Sequence, residues 1–289
     1  MRKAAVAGQF YSADKDRLAM SVAESFRGRL GPGRLPDVAT DGPANVVGLV
    51  VPHAGYMYSG SAAAWGYCAM AEDGMPDVAV ILGPNHYGIG ASVALSPHKS
   101  WQTPMGIAQC DAELAGKIQQ RSAEMQFDEA AHSKEHSIEV QLPFLQYLRA
   151  DVRIVPISLM HRPKLAAHEL AESLGHAIAQ AAADANANIA IIASSDFSHY
   201  ETKASAAAKD AAAIEHILAM DSAGLIDEVY DRDITMCGVV GVAVMLEACK
   251  AMGAKKAEKL AYYSSGEVTG DNREVVGYAA VTVRREEKG

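Results

Sequence analysis

The sequence predicts an α/β protein, a three-layer helix/sheet/helix sandwich around a central sheet that is mostly parallel or mixed. Short, nearly continuous apolar runs rich in Val and Ile are typical of strands buried on both faces. Between them lie amphipathic segments in which apolar residues recur at three- and four-residue intervals, as in helices that pack on a sheet. With 289 residues, 49% of them hydrophobic, a single domain covering 1–289 can bury a large core without a disulfide or a structural metal.

The predicted elements follow from these two patterns. Helices are predicted at 14–29, 60–72, 111–121, 134–149, 164–184, 203–219 and 237–252. Strands are predicted at 46–51, 78–82, 93–95, 152–157, 189–193 and 278–283. The Gly/Pro-rich stretch 31–43 is interpreted as a surface loop, because a single preceding helix is too little for a domain. The polar stretch 264–273 is interpreted as a loop at a pocket rim, and 285–289 as a frayed tail.

Composition excludes several classes of function. The chain has 35 acidic and 26 basic residues and a net charge of −9, which makes nucleic acid and anionic membrane surfaces poor partners. Its four cysteines form no C-x-x-C pair and are too few for a disulfide framework, which favours a reducing compartment. The first residues lack the apolar region of a secretory signal, and no stretch approaches about 18 apolar residues. We therefore expect a cytoplasmic location and no membrane partner.

Three apolar strands run directly into a turn that carries a histidine. They read VVGLVVPH, which ends at His53, VAVILGPNH, which ends at His86, and NIAIIASSDFSH, which ends at His199. In open α/β sheets, ligands bind beyond the carboxyl ends of the strands, so these turns can meet at one crevice. Any single one of these histidines could instead bond a neighbouring carbonyl. Three together indicate a metal or catalytic site.

Two further side chains fit such a site. Cys237 lies where DITMCGVVGVAVML changes from polar sequence to an apolar helix, and a helix N-terminus favours the thiolate that binds metals. The alternative for Cys237 is a buried, inert thiol. Asp196 shares one tight turn with His199, and the two could act as an acid/base pair. The alternative for Asp196 is a cap on the following helix, and both interpretations can hold together.

A competing metal motif is present. His132, Glu135 and His136 match H-x-x-E-H, in which two histidines one helical turn apart bind zinc and the glutamate is a general base. A zinc-dependent hydrolase is therefore an alternative hypothesis. The pattern is short, and a chain with 10 histidines produces chance matches.

Four more residues are expected near the crevice. His136 and Glu139 lie on a segment that we expect to pack beneath it, where they could support the ligands. Phe10 and Tyr58 are aromatic residues that could line the pocket, although a place in the core is an equally good interpretation.

Five longer motifs resemble the Memo family, and they span almost the whole chain in order. They are PHAGYMYSG at 52–60, LGPNHYG at 82–88, EHSIEVQLPFL at 135–145, SSDFSHY at 194–200 and MCG at 236–238. The resemblance implies a fold similar to the class III extradiol dioxygenases, which are non-haem iron enzymes. It also implies that His53, His86 and Cys237 bind a metal, with His199 and Asp196 in the pocket.

One departure from the dioxygenases bears on the chemistry. Their third metal ligand is a carboxylate, and the matching position here is Cys237. A thiolate is a soft ligand that suits iron, copper(I) or zinc and is itself easily oxidised. The resemblance thus implies a mononuclear metal-binding protein, with Fe(II) first and copper or zinc as alternatives, and an oxidoreductase of unknown substrate.

The same resemblance suggests partners. Prokaryotic members look like partners of a radical-SAM protein, and eukaryotic members are associated with phosphotyrosine segments. A third hypothesis is therefore a non-catalytic module whose pocket binds a phosphorylated or anionic peptide, with the metal incidental. The expected ligand in general is an unknown small molecule or peptide.

Overall fold

The computed structural model describes residues 1–286, so three residues of the expected tail at 285–289 lie outside the described part. Helices flank both faces of a central sheet. In chain order, the strands of residues 1–286 are β1 Val46–Val51, β2 Val78–Pro84, β3 Val93–Leu95, β4 Ser100–Thr103, β5 Gly106–Gln109, β6 Met125–Phe127, β7 Arg153–Leu159, β8 Ile189–Ser194, β9 His199–Glu201, β10 Ala254–Ser264 and β11 Val275–Arg285.

The helices begin and end at residues that explain their bounds. Asp14, Asp111, Thr202 and Asp221 each accept a backbone N–H of the first turn that follows. The helices of the described chain are α1 Lys15–Arg27, α2 Tyr56–Asp73, α3 Ala112–Arg121, α4 Ala130–Ser133, α5 Leu142–Leu148, α6 Lys164–Ala183, α7 Lys203–Leu218, α8 Ser222–Asp231, α9 Val239–Ala251 and α10 Gly266–Thr269, with a 3₁₀ turn at Glu139–Gln141. Within residues 1–286, no helix combines the length and apolarity that a membrane crossing requires.

The main sheet is mixed and has the strand order β10-β11-β1-β8-β2-β7-β3-β6. The short strand β9 also belongs to it and pairs with β11. Its four central strands, β1, β8, β2 and β7, are parallel neighbours. The pairs β11–β1 and β3–β7 are antiparallel, which makes the sheet mixed. Strands β4 and β5 form a separate hairpin. The predicted class, a three-layer α/β sandwich with a mixed sheet, is confirmed.

The two faces of the sheet form two separate apolar clusters. Along β1, Val47 and Val50 pack on one face with α3 and α6 to α9. Val46, Leu49 and Val51 pack on the other face with α1, α2 and α5. Because successive strand side chains point to opposite faces, a strand covered on both sides needs apolar residues throughout. This double burial accounts for the continuous runs that predicted the central strands.

Several predicted bounds were wrong for identifiable reasons. In place of the helix predicted at 134–149, the chain is irregular from Lys134, forms the 3₁₀ turn and then continues as α5; the short helix α4 lies just before this range. Strand β10 was not predicted because it is an edge strand with charged, exposed side chains in KKAEK. Helix α8, the hairpin and the short strands β6 and β9 were also not predicted, and α10 lies within the predicted loop 264–273.

Candidate metal centre

The centre lies at the carboxyl end of three adjacent parallel strands. The order β1-β8-β2 places the last residues of these strands side by side, with Val50 beside Ala193 and Leu82 beside Ala193. His53 follows β1 and His86 follows β2. Cys237 comes from another direction, since it precedes the first turn of α9, whose N-cap is Gly238.

The structure brings together the three side chains that the sequence analysis selected as ligands. Sγ of Cys237 lies 3.3 Å from Nε2 of His53. The rings of His53 and His86 meet edge to face, with centroids 5.2 Å apart. One ligand atom from each of the three residues lies within 4.8 Å of the other two. Two nitrogens and one sulfur therefore surround a space of the size that a single metal ion needs.

The hydrogen bonds of His53 determine which ring nitrogen is free. Oγ of Ser194 donates to the carbonyl of Ser137 at 2.7 Å and accepts from Nε2 of Gln141 at 2.8 Å. Nδ1 of His53, 2.9 Å from the same hydroxyl, is therefore the donor in that contact. The lone pair is left on Nε2, which faces Cys237. Burial lowers the pKa of His53 well below its usual value, so the ring is neutral.

Glu135 determines which ring nitrogen of His86 is free. Its Oε1 lies 2.9 Å from Nδ1 of His86, and its Oε2 accepts the backbone N–H of the same residue at 2.7 Å. Oε1 also accepts the N–H groups of His136 and Ser137. Burial raises the pKa of Glu135, but the hydrogen bond and charge of His86 and the amide of Ser137 outweigh it, and the pKa falls to about 2. An ionised Glu135 fixes the proton of His86 on Nδ1 and leaves Nε2 for a metal.

The cysteine is held in a turn that has no room for a larger neighbour. Burial, followed by the negative charge of Asp196, raises the pKa of the Cys237 thiol above its usual value. The next residue, Gly238, donates its N–H to Oγ of Ser195 at 3.0 Å. A Cβ on Gly238 would lie 2.5 Å from the carbonyl oxygen of Ser194. Glycine at this position lets the thiol approach the ends of the central strands.

Asp196 and His199 occupy different environments. Asp196 is 4% exposed and accepts the backbone N–H of His53 on Oδ1 at 2.8 Å, and burial raises the pKa of its carboxyl. It does not cap the following helix, because Thr202 is the N-cap of α7. His199 is the first residue of β9 rather than the end of β8, and its Nδ1 lies 2.9 Å from the carbonyl of Thr235.

A cavity of about 470 Å³ opens beside the candidate ligands. Its lining includes one histidine that the sequence analysis missed, His161, whose ring stacks on Tyr230 with centroids 5.4 Å apart. His161 follows β7 in RIVPISLMH, so the strand-end pattern that selected His53 and His86 also applied to it. The lining residues are Pro84, Asn85, His86, His161, Val229, Tyr230, Asp233, Ile234, Thr235, Met236, Cys237 and Val239.

Two of the expected pocket residues reach the histidine cluster. The ring of His136 is stacked on His86, with centroids 4.7 Å apart at 12°, and it lies 4.4 Å from the ring of Phe10. Burial lowers the pKa of His136 to about 4, so it is neutral near pH 7. Tyr58 instead packs with Tyr263 and Tyr278 in a small aromatic cluster, which agrees with the core interpretation given for it.

Among residues 1–286, Glu139 makes no hydrogen bond to the candidate metal ligands. Its fully buried carboxylate holds the N-terminal segment in place, and that segment carries Phe10 to the centre. The effect of Glu139 on the centre is therefore indirect. The groups that bind its two oxygens are the Arg2 guanidinium at 2.5 Å, the Ala5 and Val6 amides at 2.8 and 3.1 Å, and the Tyr11 hydroxyl at 2.5 Å.

The H-x-x-E-H residues do not act as one group. His132 is buried, its Nε2 lies 3.1 Å from the carbonyl of Ala94, and its ring packs edge-on against Trp101. Burial lowers the pKa of His132 to about 4. His136 and Glu135 instead join His86 in a second group whose ligand atoms lie within 4.8 Å of one another. His132 belongs to neither candidate group, so the zinc-hydrolase hypothesis lacks one of its ligands.

Comparisons with known proteins agree with this architecture. The chain is similar to an uncharacterized protein of Escherichia coli K12 whose crystal structure is known, with a TM-score of 0.56 and 13% identity over 82% of this chain and 98% of that one. At this identity the likeness shows the fold alone. Among sequences, a MEMO1 family protein of Methanopyrus kandleri is 46% identical over 98% of this chain and 99% of its own length.

Two further relatives have the same description. MEMO1 family proteins of Pyrobaculum aerophilum and Methanothermobacter thermautotrophicus are 44% and 42% identical, over 99% and 96% of this chain and 99% of each relative. The family model described as Memo-like protein matches residues 2–282. The chain therefore belongs to the Memo family.

Proposed function

We propose that this chain binds one metal ion through His53, His86 and Cys237, and that the ion is Fe(II), with copper or zinc as alternatives. The observation that carries the proposal is the fixed state of the two histidines. Each has its Nδ1 bonded to an oxygen, Ser194 for His53 and Glu135 for His86, which leaves both Nε2 lone pairs free beside one thiol. Preset donors of this kind lose little freedom on binding a metal.

The donor set also restricts the choice of metal. Two imidazoles and a thiolate suit iron, zinc and copper, whereas magnesium and calcium prefer oxygen ligands. Three protein ligands leave coordination positions open, as catalytic rather than structural sites do. A bound iron ion would supply electron-transfer chemistry toward a molecule in the adjoining cavity. We therefore propose an oxidoreductase function, with the substrate bound beside His86 and Cys237.

Other residues of the centre have proposed roles in handling protons. Asp196 is nearly buried, and burial raises the pKa of its carboxyl, which favours the protonated form. His199 is more exposed, and its Nδ1 is held by the carbonyl of Thr235 at the edge of the centre. These two residues are the proposed acid/base pair.

The phosphopeptide hypothesis receives less support. A phosphate-binding pocket needs arginine, lysine or a set of free backbone amides. The residues that line the cavity include Asp233 but neither arginine nor lysine. A neutral small molecule suits this lining better than an anionic peptide.

We also propose a cytoplasmic location and a partner protein. All four cysteines are free thiols, which fits the reducing conditions of the cytoplasm. A radical-SAM partner protein follows from the family resemblance. Copurification of this chain with such a protein from anaerobic cells tests that proposal, and repeated absence of any iron–sulfur partner contradicts it.

Metal analysis tests the main proposal. Protein purified without oxygen is loaded with Fe(II) and desalted, and the iron per chain is measured for the wild type, Cys237→Ala and His53→Ala. Each variant should lose one equivalent of iron relative to the wild type. The matched control is Cys110→Ala, since Cys110 lies in neither candidate ligand group. Unchanged iron content in both site variants would overturn the proposal.

A further inference from the structure

The ring nitrogens of His136 are unused in the part of the chain that the structure describes. Within residues 1–286, neither of its ring nitrogens has a hydrogen-bond partner, although Nδ1 lies 3.4 Å from Oε1 of Glu135. The ring is enclosed between Phe10 and His86, with centroid distances of 4.4 and 4.7 Å. Both ring nitrogens of this imidazole are therefore free to bind a ligand. Its neighbours show which kind of ligand is suitable.

Three potential ligand atoms meet at His136. His86, Glu135 and His136 each contribute one such atom, and the three atoms lie within 4.8 Å of one another. This group is distinct from the one that contains Cys237. Oε2 of Glu135 accepts one hydrogen bond among the described residues, from the backbone N–H of His86, and so retains a lone pair. The group therefore offers two imidazoles and a carboxylate, which is a sufficient set for a divalent cation.

We propose that His86, Glu135 and His136 form a second divalent-metal site, joined to the thiolate site through the ring of His86. The first group takes Nε2 of His86 and the second takes Nδ1, which lies 2.9 Å from Oε1 of Glu135. Binding of the second ion displaces the proton from Nδ1 to solvent, and the ring then bridges the two ions as an imidazolate. Cys237 belongs only to the first group and Glu135 only to the second. The inference rests on the proposed function through His86 and through Glu135, which orients His86 there, whereas His136 is a ligand of the second site alone.

The two sites should differ in the metals they prefer. The first contains a soft thiolate, which favours iron, zinc or copper(I). The second contains nitrogen and oxygen donors and no sulfur, so it suits zinc, cobalt, manganese or iron in the divalent state and disfavours copper(I). The carboxylate of Glu135 contributes one negative charge near neutral pH, because its pKa is lowered to about 2.

Cobalt titration separates the two sites. Metal-free protein is titrated with Co²⁺ under anaerobic conditions, and equilibrium dialysis gives the stoichiometry while the sulfur-to-cobalt charge-transfer band reports binding at Cys237. The wild type should bind two equivalents, of which one produces the band. Cys237→Ser should keep one equivalent without the band, and His136→Asn should keep one equivalent with it. His176→Asn, at an exposed position on α6, is the matched control and should bind two.

Failure of this inference is distinguishable from failure of the proposed function. Saturation of the wild type at one equivalent that produces the charge-transfer band, or two equivalents in His136→Asn, overturns the second site. If the only equivalent bound lacks the charge-transfer band and is lost in His136→Asn, the thiolate site fails and the second site stands. The wild-type stoichiometry, read together with the charge-transfer band, decides the question even if His136→Asn does not fold.

Discussion

Replacement of Glu135 by Gln tests how the centre is oriented. The carboxylate takes four N–H groups, from the His86 amide and ring and from the His136 and Ser137 amides, at 2.7 to 2.9 Å. A glutamine has one acceptor oxygen, so its NH₂ group must face either the His86 amide or the other three donors. At least one charge-assisted hydrogen bond is then lost, which costs about 1.5–3 kcal/mol of folding stability. Without the charge, the proton of His86 is also no longer fixed on Nδ1.

The effect on metal binding is separate from the loss of stability. Removal of a residue that orients a histidine ligand typically weakens metal affinity by about 10- to 100-fold. For Glu135→Gln we expect a loss in this range, about 1.4–2.7 kcal/mol, at the site that contains Cys237. The assay is an anaerobic competition of Co²⁺ between protein and a chelator, read from the sulfur-to-cobalt band. Urea unfolding of the metal-free protein measures the stability term independently.

The matched control for this variant is Glu129→Gln. Glu129 is 69% exposed and lies beside α4, outside both candidate metal groups. Its substitution should change the Co²⁺ affinity less than twofold, since screened surface charges contribute little. If Glu135→Gln is folded and its affinity also remains within about twofold of the wild type, the argument that Glu135 orients His86 is refuted.

Three other predictions concern the surroundings of the centre. Arg2→Met leaves the buried carboxylate of Glu139 unpaired and should reduce the urea unfolding free energy by about 3–5 kcal/mol; a loss below 1 kcal/mol would contradict this. Burial lowers the pKa of His132 from 6.5 to about 4, so the unfolded chain takes up a proton there before the folded protein does. The free energy of unfolding should therefore fall by about 3 kcal/mol as the pH drops from 6.5 to 4. His132→Gln should flatten that part of the pH–stability profile. Gly238→Ala should destabilise the protein by about 1–3 kcal/mol and lower metal content, whereas Gly116→Ala, in open space on α3, should be neutral or stabilising; equal melting temperatures would refute the contrast.

Much of the fold could be predicted because the central strands are covered on both faces. Every residue of β1, β2 and β8 is buried, so the sequence there is continuously apolar and easily recognised. Strand β10 gives no such signal, because it lies at the edge and its side chains include Lys255, Lys256 and Glu258. Its place is determined by pairing with β11 over most of its length, and that information is not local.

The same reasoning explains which parts of the centre were found. His53 and His86 were recognisable because both follow continuously apolar strands, and the sheet places these two strands on either side of β8. Cys237 needed the family resemblance, since a cysteine before an apolar helix has no distinctive spacing to the histidines. His161 carried the strand-end signal at β7 and was missed, because its strand was predicted to end at residue 157, before the turn.

The role of Glu135 shows why a short motif can mislead. The H-x-x-E-H pattern assumes a continuous helix, on which residues four apart share a face. Here α4 ends at Ser133, and the carboxylate of Glu135 takes the N–H groups of His136 and Ser137 at the start of the next turn. The two histidines therefore do not share one helix face. His132 lies in the core, with Nε2 near the carbonyl of Ala94, whereas the ring of His136 stacks on His86. A single buried carboxylate thus accepts the amides of the turn that follows α4 and also orients the ligand histidine. Neither role could be inferred from residue spacing.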